Sequence, residues 1–332
     1  MRLRHASLGT ALVVALVASA APAGWAQTKT IKLLSSWDRT TLAALEGALE
    51  FQEQVKKISR GKLEVDIKGP ETVPAFQQIQ PVTAGVFDML WTHGVYHAGS
   101  KGLTLVVDAM EPDIEKRRSS GVFDYLDKYY QKHNKLTMIA LVSNGTRGYQ
   151  LVLRDPLSAE GDIKGRKMRA TQSYFGVIKG LGGTPVVIPI TELYSALEKG
   201  VVDGAAMPAA GILTSKIYEV SKYRVRPFIG VSTQSITVNL NAWSKFTAEE
   251  QKILRDAGQA VEKTMIKQGD ETITREDAEL DKLGMRYAQL SPDKAEMVKR
   301  AWVTSLWELA EQCCADGAKE LREIALKANL TY

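Results

Sequence analysis

The sequence predicts an α/β protein of two domains, each with a small sheet. Its 332 residues are more than one hydrophobic core usually serves. Strand-like alternation and helical periodicity follow one another in both halves of the chain. A helical pattern that starts at Thr247 runs on for about 35 residues, roughly 50 Å at 1.5 Å per residue, so we expect this helix to cross both domains.

Composition excludes several classes of protein. The hydrophobic fraction of 45% and the charged fraction of 24% are those of a globular domain, not of a disordered or collagen-like chain. The formal charge of +5 is too small and too dispersed to indicate a nucleic-acid partner. Two cysteines do not make a disulfide framework.

Residues 1–26 have the pattern of a secretory signal peptide. Arg2 and Arg4 precede an apolar run over 8–21, and Gly24 and Ala26 then provide small side chains at the two positions that a signal peptidase reads. The apolar run is too short to cross a bilayer, which leaves an uncleaved anchor as the weaker alternative. We therefore expect a mature chain from residue 27, exported to the periplasm.

The pattern of strands and helices in the first half of the chain predicts a βαβ unit, in which two parallel strands are joined by a right-handed crossover. Further elements follow the same rhythm in both halves. The predicted strands are 30–34, 62–68, 86–91, 148–153, 167–170 and 184–188. The predicted helices are 41–59, 76–84, 173–181 and 191–199 (with Thr191 as N-cap), the long helix from a Thr247/Glu250 capping box to about 283, and a last helix from Ser291-Pro292 toward 327.

Motifs for catalysis, metal binding or a cofactor are absent from the sequence. His93 and His97 lie four residues apart but lack the glutamate of a zinc-protease helix, so loop histidines are the better interpretation. Cys313 and Cys314 are adjacent, and neighbouring cysteines bridge only with strain, so we expect two buried thiols. No catalytic residue, metal ligand or cofactor site is predicted.

Two arginines are the candidate binding residues. Arg147 lies in a polar turn that enters a strand, and Arg169 lies at the end of a strand. Open α/β sheets bind ligands at such strand ends, and a guanidinium can hold a carboxylate with two parallel hydrogen bonds. An ordinary surface salt bridge is an equally good interpretation of each arginine taken alone.

Several segments resemble the solute-binding proteins of tripartite ATP-independent periplasmic (TRAP) transporters, of the dicarboxylate-binding DctP type. The most specific is LGGTP at 181–185 followed by TELYSALEKGVVDG at 191–204. Similar segments are IKGRKMR at 163–169, FQEQVKKISRGK at 51–62 and NAWSKFTAEEQKIL at 241–254. The resemblance covers essentially the whole mature chain.

The resemblance implies a two-lobe periplasmic binding protein fold, with strand crossovers and a long helix spanning both lobes. Lobe I would comprise 27–144 and about 235–272, and lobe II 145–234 and about 273–332. The chain would not be an enzyme. It would close over a small organic acid, with Arg169 clamping the carboxylate and Arg147 supporting that charge, and it would meet the membrane only through the small and large TRAP subunits.

Departures from the family pattern concern the ligand. Met207 stands where relatives often carry a polar residue, and the Trp91-Thr92-His93 segment replaces acidic or small polar residues. Trp37, after the first strand, and Asn144, beside Arg147, complete the predicted ligand-binding residues. The alternative interpretation of the tryptophans and the methionine is that they pack in the core and do not contact a ligand.

These departures favour a monocarboxylate with an apolar or aromatic body, such as a 2-oxo or 2-hydroxy acid, over a dicarboxylate. A ligand sensor on the same scaffold and a periplasmic enzyme are the alternative functions. Trp302 and Trp307 indicate either an oligomer contact or, more often for such residues, core packing.

Overall fold

Two β-sheets organise the protein, whose computed structural model describes residues 28–331. The predicted signal peptide lies outside the described residues. The strands are β1 (Lys29–Ser35), β2 (Leu63–Lys68), β3 (Met89–Thr92), β4 (Leu136–Ser143), β5 (Tyr149–Leu153), β6 (Lys167–Ala170), β7 (Thr184–Val187), β8 (Gly204–Pro208), β9 (Tyr223–Arg226), β10 (Thr233–Asn239) and β11 (Arg286–Gln289).

Helices cover both sheets, which confirms the predicted α/β class. They are α1 (Leu42–Ile58), α2 (Ile79–Thr83), α3 (Ile114–Ser119), α4 (Val122–Asn134), α5 (Phe175–Gly180), α6 (Leu193–Glu198), α7 (Ile217–Val220), α8 (Leu240–Trp243), α9 (Ala248–Lys282) and α10 (Pro292–Lys327). Short 3-10 turns are Arg39–Thr41, Ala75–Gln77, Gly94–Ser100, Leu103–Ala109, Gln172–Tyr174 and Ile190–Glu192.

The first sheet has the strand order β2-β1-β3-β10-β4. Its strand β1 pairs in parallel with β2 and β3, as the predicted βαβ unit requires. Strand β10 is antiparallel to both β3 and β4. The second sheet has the order β11-β9-β5-β8-β6-β7, with β6 parallel to its neighbours β7 and β8.

Two chain segments cross side by side from one sheet to the other. One joins β4 to β5 and the second joins β9 to β10. They are hydrogen-bonded where Asn144 N donates to Ser232 O at 3.0 Å and Gly148 N donates to Gly230 O at 2.8 Å. A Cβ on Gly148 would lie 2.5 Å from the Val231 main chain, so the approach requires glycine. The expected strand crossovers are thus present.

Helix α9 contacts both sheets along its 35 residues, as its length predicts. The Thr247/Glu250 capping box forms at its start. In the first half of α9, Glu262 accepts a hydrogen bond from Leu141 N at 2.7 Å. Toward its end, Glu276 accepts one from Ile212 N at 2.6 Å. The two carboxylates tie the helix to β4 of the first sheet and to the turn after β8 of the second.

Helix α10 also contacts elements from both halves of the chain. It begins with Ser291 as N-cap and Pro292 in its first turn, as predicted. Trp302 and Trp307 are buried, which confirms the packing alternative. Further along, Asp316 accepts a hydrogen bond from Tyr129 of α4 at 3.0 Å. The last turns therefore return to the first sheet, whereas the expected boundary placed all of 273–332 in lobe II.

Three local expectations are corrected. Cys313 and Cys314 form a vicinal disulfide instead of two thiols, because the backbone of Cys314 leaves the helical region (φ −141°, ψ 37°). Thr191 does not cap a helix: it lies in a 3-10 turn, and α6 begins at Leu193 without a side-chain cap. The helix expected over 76–84 is a 3-10 turn followed by the short α2.

Candidate functional site

Arg169 is buried in the second sheet with 2% of its surface exposed. Its strand β6 lies between β7 and β8, and the guanidinium bonds to the main chain on both sides. Nε donates to Ile188 O at 2.7 Å, and Nη1 donates to Ala206 O at 2.8 Å. The sheet itself therefore orients this side chain.

No acidic side chain within residues 28–331 forms an ion pair with Arg169. The two carbonyl oxygens offer partial charges only, so the positive charge of the guanidinium is uncompensated by the protein around it. Burying an ionised group is costly unless an opposite charge or further hydrogen bonds compensate. The surroundings of Arg169 consequently favour an anion.

A cavity of about 40 Å³, here named the arginine cavity, lies against Arg169. Both sheets and the loops at their strand ends contribute to it, and four aromatic side chains give it an apolar wall. Its lining residues are Trp37, Ala44, His93, Val95, Tyr96, Tyr149, Arg169, Thr171, Ser173, Tyr174, Ile190, Pro208, Ser232 and Gln234.

The aromatic rings of this wall hold one another in place. Trp37 and Tyr96 have ring centroids 5.5 Å apart, and Tyr149 and Tyr174 meet edge-on at 5.2 Å. Burial raises the pKa of Tyr96, although nearby Arg169 acts in the opposite direction. Burial also raises the pKa of Tyr149 and of Tyr174 well above the ordinary value. The three hydroxyls are therefore neutral at physiological pH and can donate hydrogen bonds.

His93 lines the arginine cavity but is engaged within the protein. Its Nδ1 accepts from Val95 N at 3.1 Å, so Nε2 carries the proton and donates to Asp108 at 2.7 Å. Tyr149 donates to the same Asp108 oxygen, and Thr233 N donates to the other at 2.8 Å. Asp108 thereby joins residues from both sheets behind the cavity.

His97 lies outside the cavity and is hydrogen-bonded to Tyr130 at 2.9 Å. Burial lowers the pKa of His97 to about 3, so the ring is neutral. In the part of the chain that the structure describes, no group of three or more His, Cys, Asp or Glu side chains is arranged to hold a metal ion.

A second space of about 20 Å³, here named the adjoining cavity, shares Ala44, Pro208, Ser232 and Gln234 with the first. The two cavities adjoin at these four residues, beside the crossing segments and α9, and are together named the cleft. The full lining of the adjoining cavity is Ala43, Ala44, Glu46, Asn144, Arg147, Gly148, Pro208, Ala209, Ala210, Ser232, Gln234, Met265, Gly269 and Thr272.

Arg147 lines the adjoining cavity and does not line the arginine cavity. Its Nε forms an ion pair with Asp270 of α9 at 3.3 Å. Its Nη2 donates to Asp270 O at 2.5 Å and to Thr274 Oγ1 at 2.8 Å. In contrast to Arg169, this arginine has a protein counter-ion, and it fastens the crossing segment between β4 and β5 to the long helix.

Five predicted binding residues line the cleft: Arg169, Trp37 and His93 in the arginine cavity, and Arg147 and Asn144 in the adjoining one. The other three predicted residues line neither cavity.

Trp91 is buried behind Trp37 and donates to Ala44 O at 2.9 Å. Thr92 is hydrogen-bonded to Ser36 at 2.7 Å. Met207 belongs to the apolar cluster on α6, because successive residues of β8 point to opposite faces and Pro208 takes the cavity side.

Sequence reasoning missed most of the polar lining. Tyr96, Tyr149 and Tyr174 lie on separate elements, and only the folded chain brings their hydroxyls together. Ser173 and Gln234 were also missed, and the Oγ of the former and Oε1 of the latter are buried without a hydrogen-bond partner among the described residues. Residues 235–238 alternate small polar with apolar side chains, which could have marked this end of β10 as a strand, but Gln234 shares a face with Ile236 and Val238 and would not have been found in this way.

Comparison with known proteins assigns the chain to a family. Residues 36–312 match the model of the family described as DctP, bacterial extracellular solute-binding protein, family 7. A solute-binding protein of Roseobacter denitrificans is 23% identical over 305 residues, which cover 87% of this chain and 90% of that one. A monocarboxylate 2-oxoacid-binding periplasmic protein of Nostoc is 25% identical over 262 residues, covering 74% and 70%.

A solved structure shares the architecture. It is a Bordetella pertussis extracytoplasmic solute receptor that binds pyroglutamic acid. It superposes with a TM-score of 0.77 at 17% identity and covers 90% of this chain and 100% of that one. At that identity the likeness shows the common fold, namely two α/β lobes joined by crossing strands.

Proposed function

Since this chain belongs to the bacterial extracellular solute-binding protein family 7, we propose that it captures a small organic acid through Arg169 and delivers it to TRAP membrane subunits. Members of this family are periplasmic binding proteins of transport systems and are not enzymes. The proposal concerns the ligand, the residues that bind it and the membrane partner.

One observation carries the proposal: Arg169 is buried, oriented by two main-chain oxygens and without an acidic partner in the part of the chain that the structure describes. A ligand carboxylate would supply the missing negative charge. Two of the three guanidinium nitrogens are engaged by the sheet, and the third, Nη2, is the one we assign to the ligand. Exclusion of water would strengthen this pair, because the effective dielectric falls.

Closure of two lobes explains how such a buried charge receives its ligand. We propose lobes of 27–144 with about 235–272, and of 145–234 with about 273–332, apart from the last turns of α10. Trp37 and His93 come from the first sheet's side of the cavity, and Arg169 and Tyr174 from the second. A ligand that touches both sides favours the closed state by its additional contacts. The membrane subunits would recognise that closed form.

The lining supports a monocarboxylate with an apolar or aromatic body, such as a 2-oxo or 2-hydroxy acid. Four aromatic rings surround the space beside Arg169. The second arginine of the cleft, Arg147, is already paired with Asp270, so a second ligand carboxylate would find no free cation there. Arg147 would support the bound charge at longer range. The 2-oxoacid-binding relative from Nostoc agrees with this ligand class.

Export would depend on residues 1–26 as a signal peptide cleaved near Ala26. Among the described residues, no helix combines the length and apolar character needed to cross a bilayer. We therefore propose a mature periplasmic protein that meets the membrane through the transporter.

The test is a thermal-shift screen of residues 27–332 against organic acids, followed by calorimetry on wild type, Arg169→Ala and Arg300→Ala. A ligand at 100 times its dissociation constant adds about 2.7 kcal/mol to the free energy of unfolding. Removing Arg169 leaves a buried carboxylate unpaired, so we expect a loss of about 3–5 kcal/mol in binding. Arg300 is an exposed α10 residue and serves as the matched control. Unchanged binding in Arg169→Ala would overturn the clamp.

A further inference from the structure

Two residues that line the adjoining cavity each carry a buried oxygen atom with no hydrogen-bond partner among the described residues. These atoms are Oδ1 of Asn144 and Oε1 of Gln234. Gln234 is 2% exposed and lines both cavities, whereas Asn144 lines the adjoining cavity alone. Buried polar atoms in folded proteins nearly always have a partner, and leaving one without is unfavourable.

The hydrogen bonds of the two amides differ in what they fix. Nδ2 of Asn144 donates to the main-chain oxygen of Ala43 at 3.1 Å. Because a carbonyl oxygen can only accept, this amide cannot be reversed, and its oxygen is the unpartnered end. Nε2 of Gln234 donates to Ser232 Oγ at 2.9 Å, and Oε1 is the unpartnered end in this orientation. Because a hydroxyl can also donate, this contact alone does not fix the Gln234 amide.

The remaining charged groups of the adjoining cavity do not supply the missing donor. Arg147 is the one cation among its described lining residues, and its Nε and Nη2 are directed to Asp270 and Thr274. Glu46 adds a half-buried carboxyl group to the lining. Burial raises the pKa of Glu46 above its ordinary value, as expected where water is largely excluded. Neither group bonds to Asn144 Oδ1 or Gln234 Oε1, so these two acceptors lack a donor among the described residues.

We propose that the ligand carries, besides its carboxylate, an O–H or N–H group that enters the adjoining cavity and donates to Gln234 Oε1 and Asn144 Oδ1. This inference rests on the proposed function, because the carboxylate at Arg169 fixes which end of the ligand points toward Gln234. Gln234 lies on the shared wall, so it is the first acceptor that a ligand extending from Arg169 meets. The substrate class is accordingly a hydroxy, amide or amino monocarboxylate.

The test uses acids that differ in one group. Two triplets are 4-hydroxycyclohexanecarboxylate, 4-oxocyclohexanecarboxylate and cyclohexanecarboxylate, and 4-hydroxypentanoate, 4-oxopentanoate and pentanoate. Pyroglutamate and cyclopentanecarboxylate form an N–H pair. Dissociation constants are measured by calorimetry on wild type, Gln234→Met, Asn144→Leu, Arg169→Ala and Gln268→Met, the last being an exposed glutamine on α9.

We expect wild type to bind the donor member of a set about tenfold more tightly than the member that lacks the group. Gln234→Met should bring the two constants together, Asn144→Leu should reduce the difference, and Gln268→Met should retain it. Melting of each variant without ligand checks that it is folded. If a variant does not fold, the wild-type comparison decides by itself.

Other results overturn the inference. Equal affinities within every set, with binding still lost in Arg169→Ala, would reject the donor group and leave the proposed function standing. Tighter binding of the ketones than of the alcohols would mean that the cavity presents N–H groups, which contradicts the assignment. If no acid binds, the proposed function fails, and this inference fails with it.

Discussion

Nη1 of Arg169 lies 2.8 Å from the main-chain oxygen of Ala206 on the adjacent parallel strand. The neighbouring Nε is held by Ile188 O at 2.7 Å. Two carbonyls on opposite sides of β6 thus keep the plane of the guanidinium in one orientation. This arrangement uses the shape of an arginine side chain as well as its charge.

The variant Arg169→Lys tests whether ligand binding needs the planar shape of the guanidinium or only its positive charge. A lysine keeps the positive charge but cannot donate to two strand carbonyls while also holding a carboxylate. We expect an affinity about tenfold to a hundredfold below wild type and above that of Arg169→Ala. Calorimetry with the acid that binds best measures the three constants. Affinity equal to wild type would contradict the orienting role of Ala206 and Ile188.

Arg147→Ala should have a much smaller effect on binding. The guanidinium is neutralised by Asp270, and both side chains are about a third exposed, so solvent screens their charges. We expect a change of less than about tenfold in affinity and a loss of about 1 kcal/mol in the free energy of unfolding. Calorimetry and urea unfolding measure the two quantities. A loss of affinity as large as that of Arg169→Ala would show that Arg147 contacts the ligand directly.

His97 should make the stability of the protein depend on pH. Burial, reinforced by the nearby His93, lowers the pKa of His97 to about 3, so the folded protein holds the ring neutral where the unfolded chain would protonate it. Stability from this group is therefore present above the unfolded pKa of about 6.5 and is lost progressively as the pH falls toward 3.

The expected loss between pH 8 and pH 5.5 is about 1.4 kcal/mol. Urea unfolding at pH 8, 7 and 5.5 measures it. His97→Phe removes the titrating group and should flatten this part of the profile, although the hydrogen bond to Tyr130 is lost at every pH. His133→Gln, at a partly exposed histidine paired with Asp316, is the control. An unchanged pH slope in His97→Phe would refute the prediction.

Gly269→Ala should separate α9 from the crossing segment. A Cβ at this position would lie 2.3 Å from Gly145 N, and main-chain atoms cannot yield as a flexible side chain would. We expect a loss of about 1–3 kcal/mol in the free energy of unfolding. Gly99→Ala is the matched control, since its Cβ would meet no atom within 4 Å. Equal stability of the two variants would mean that the helix does not need this close contact.

The local elements could be predicted where the signal is itself local. The capping box of Thr247 and Glu250 and the cap of Ser291 identify where the two long helices begin, and both are observed. The strict alternation over 62–68 identified β2. In contrast, β4 and β10 were not predicted, since they are nearly all buried and carry no alternation of apolar with charged residues.

The residues of the candidate site also separate into those that a local pattern predicts and those that only the folded chain assigns. Arg169 was predicted because a strand end followed by a polar loop is a local pattern. Met207 was assigned to the cleft, but the pleat of β8 turns it into the cluster on α6. Gln234 was overlooked, because its place on the shared wall depends on β10 lying between β3 and β4.

The sequence by itself determined the α/β class, the lengths and starts of the long helices, and the presence of an arginine at a strand end. These depend on periodicity, capping and spacing, which act over a few residues. Only the tertiary structure decided that Arg169 has no acidic partner between residues 28 and 331, while Arg147 is paired with Asp270. Asp270 is 123 residues from Arg147 along the chain, so the packing of α9 on the crossing segments decides which cation is left for a ligand.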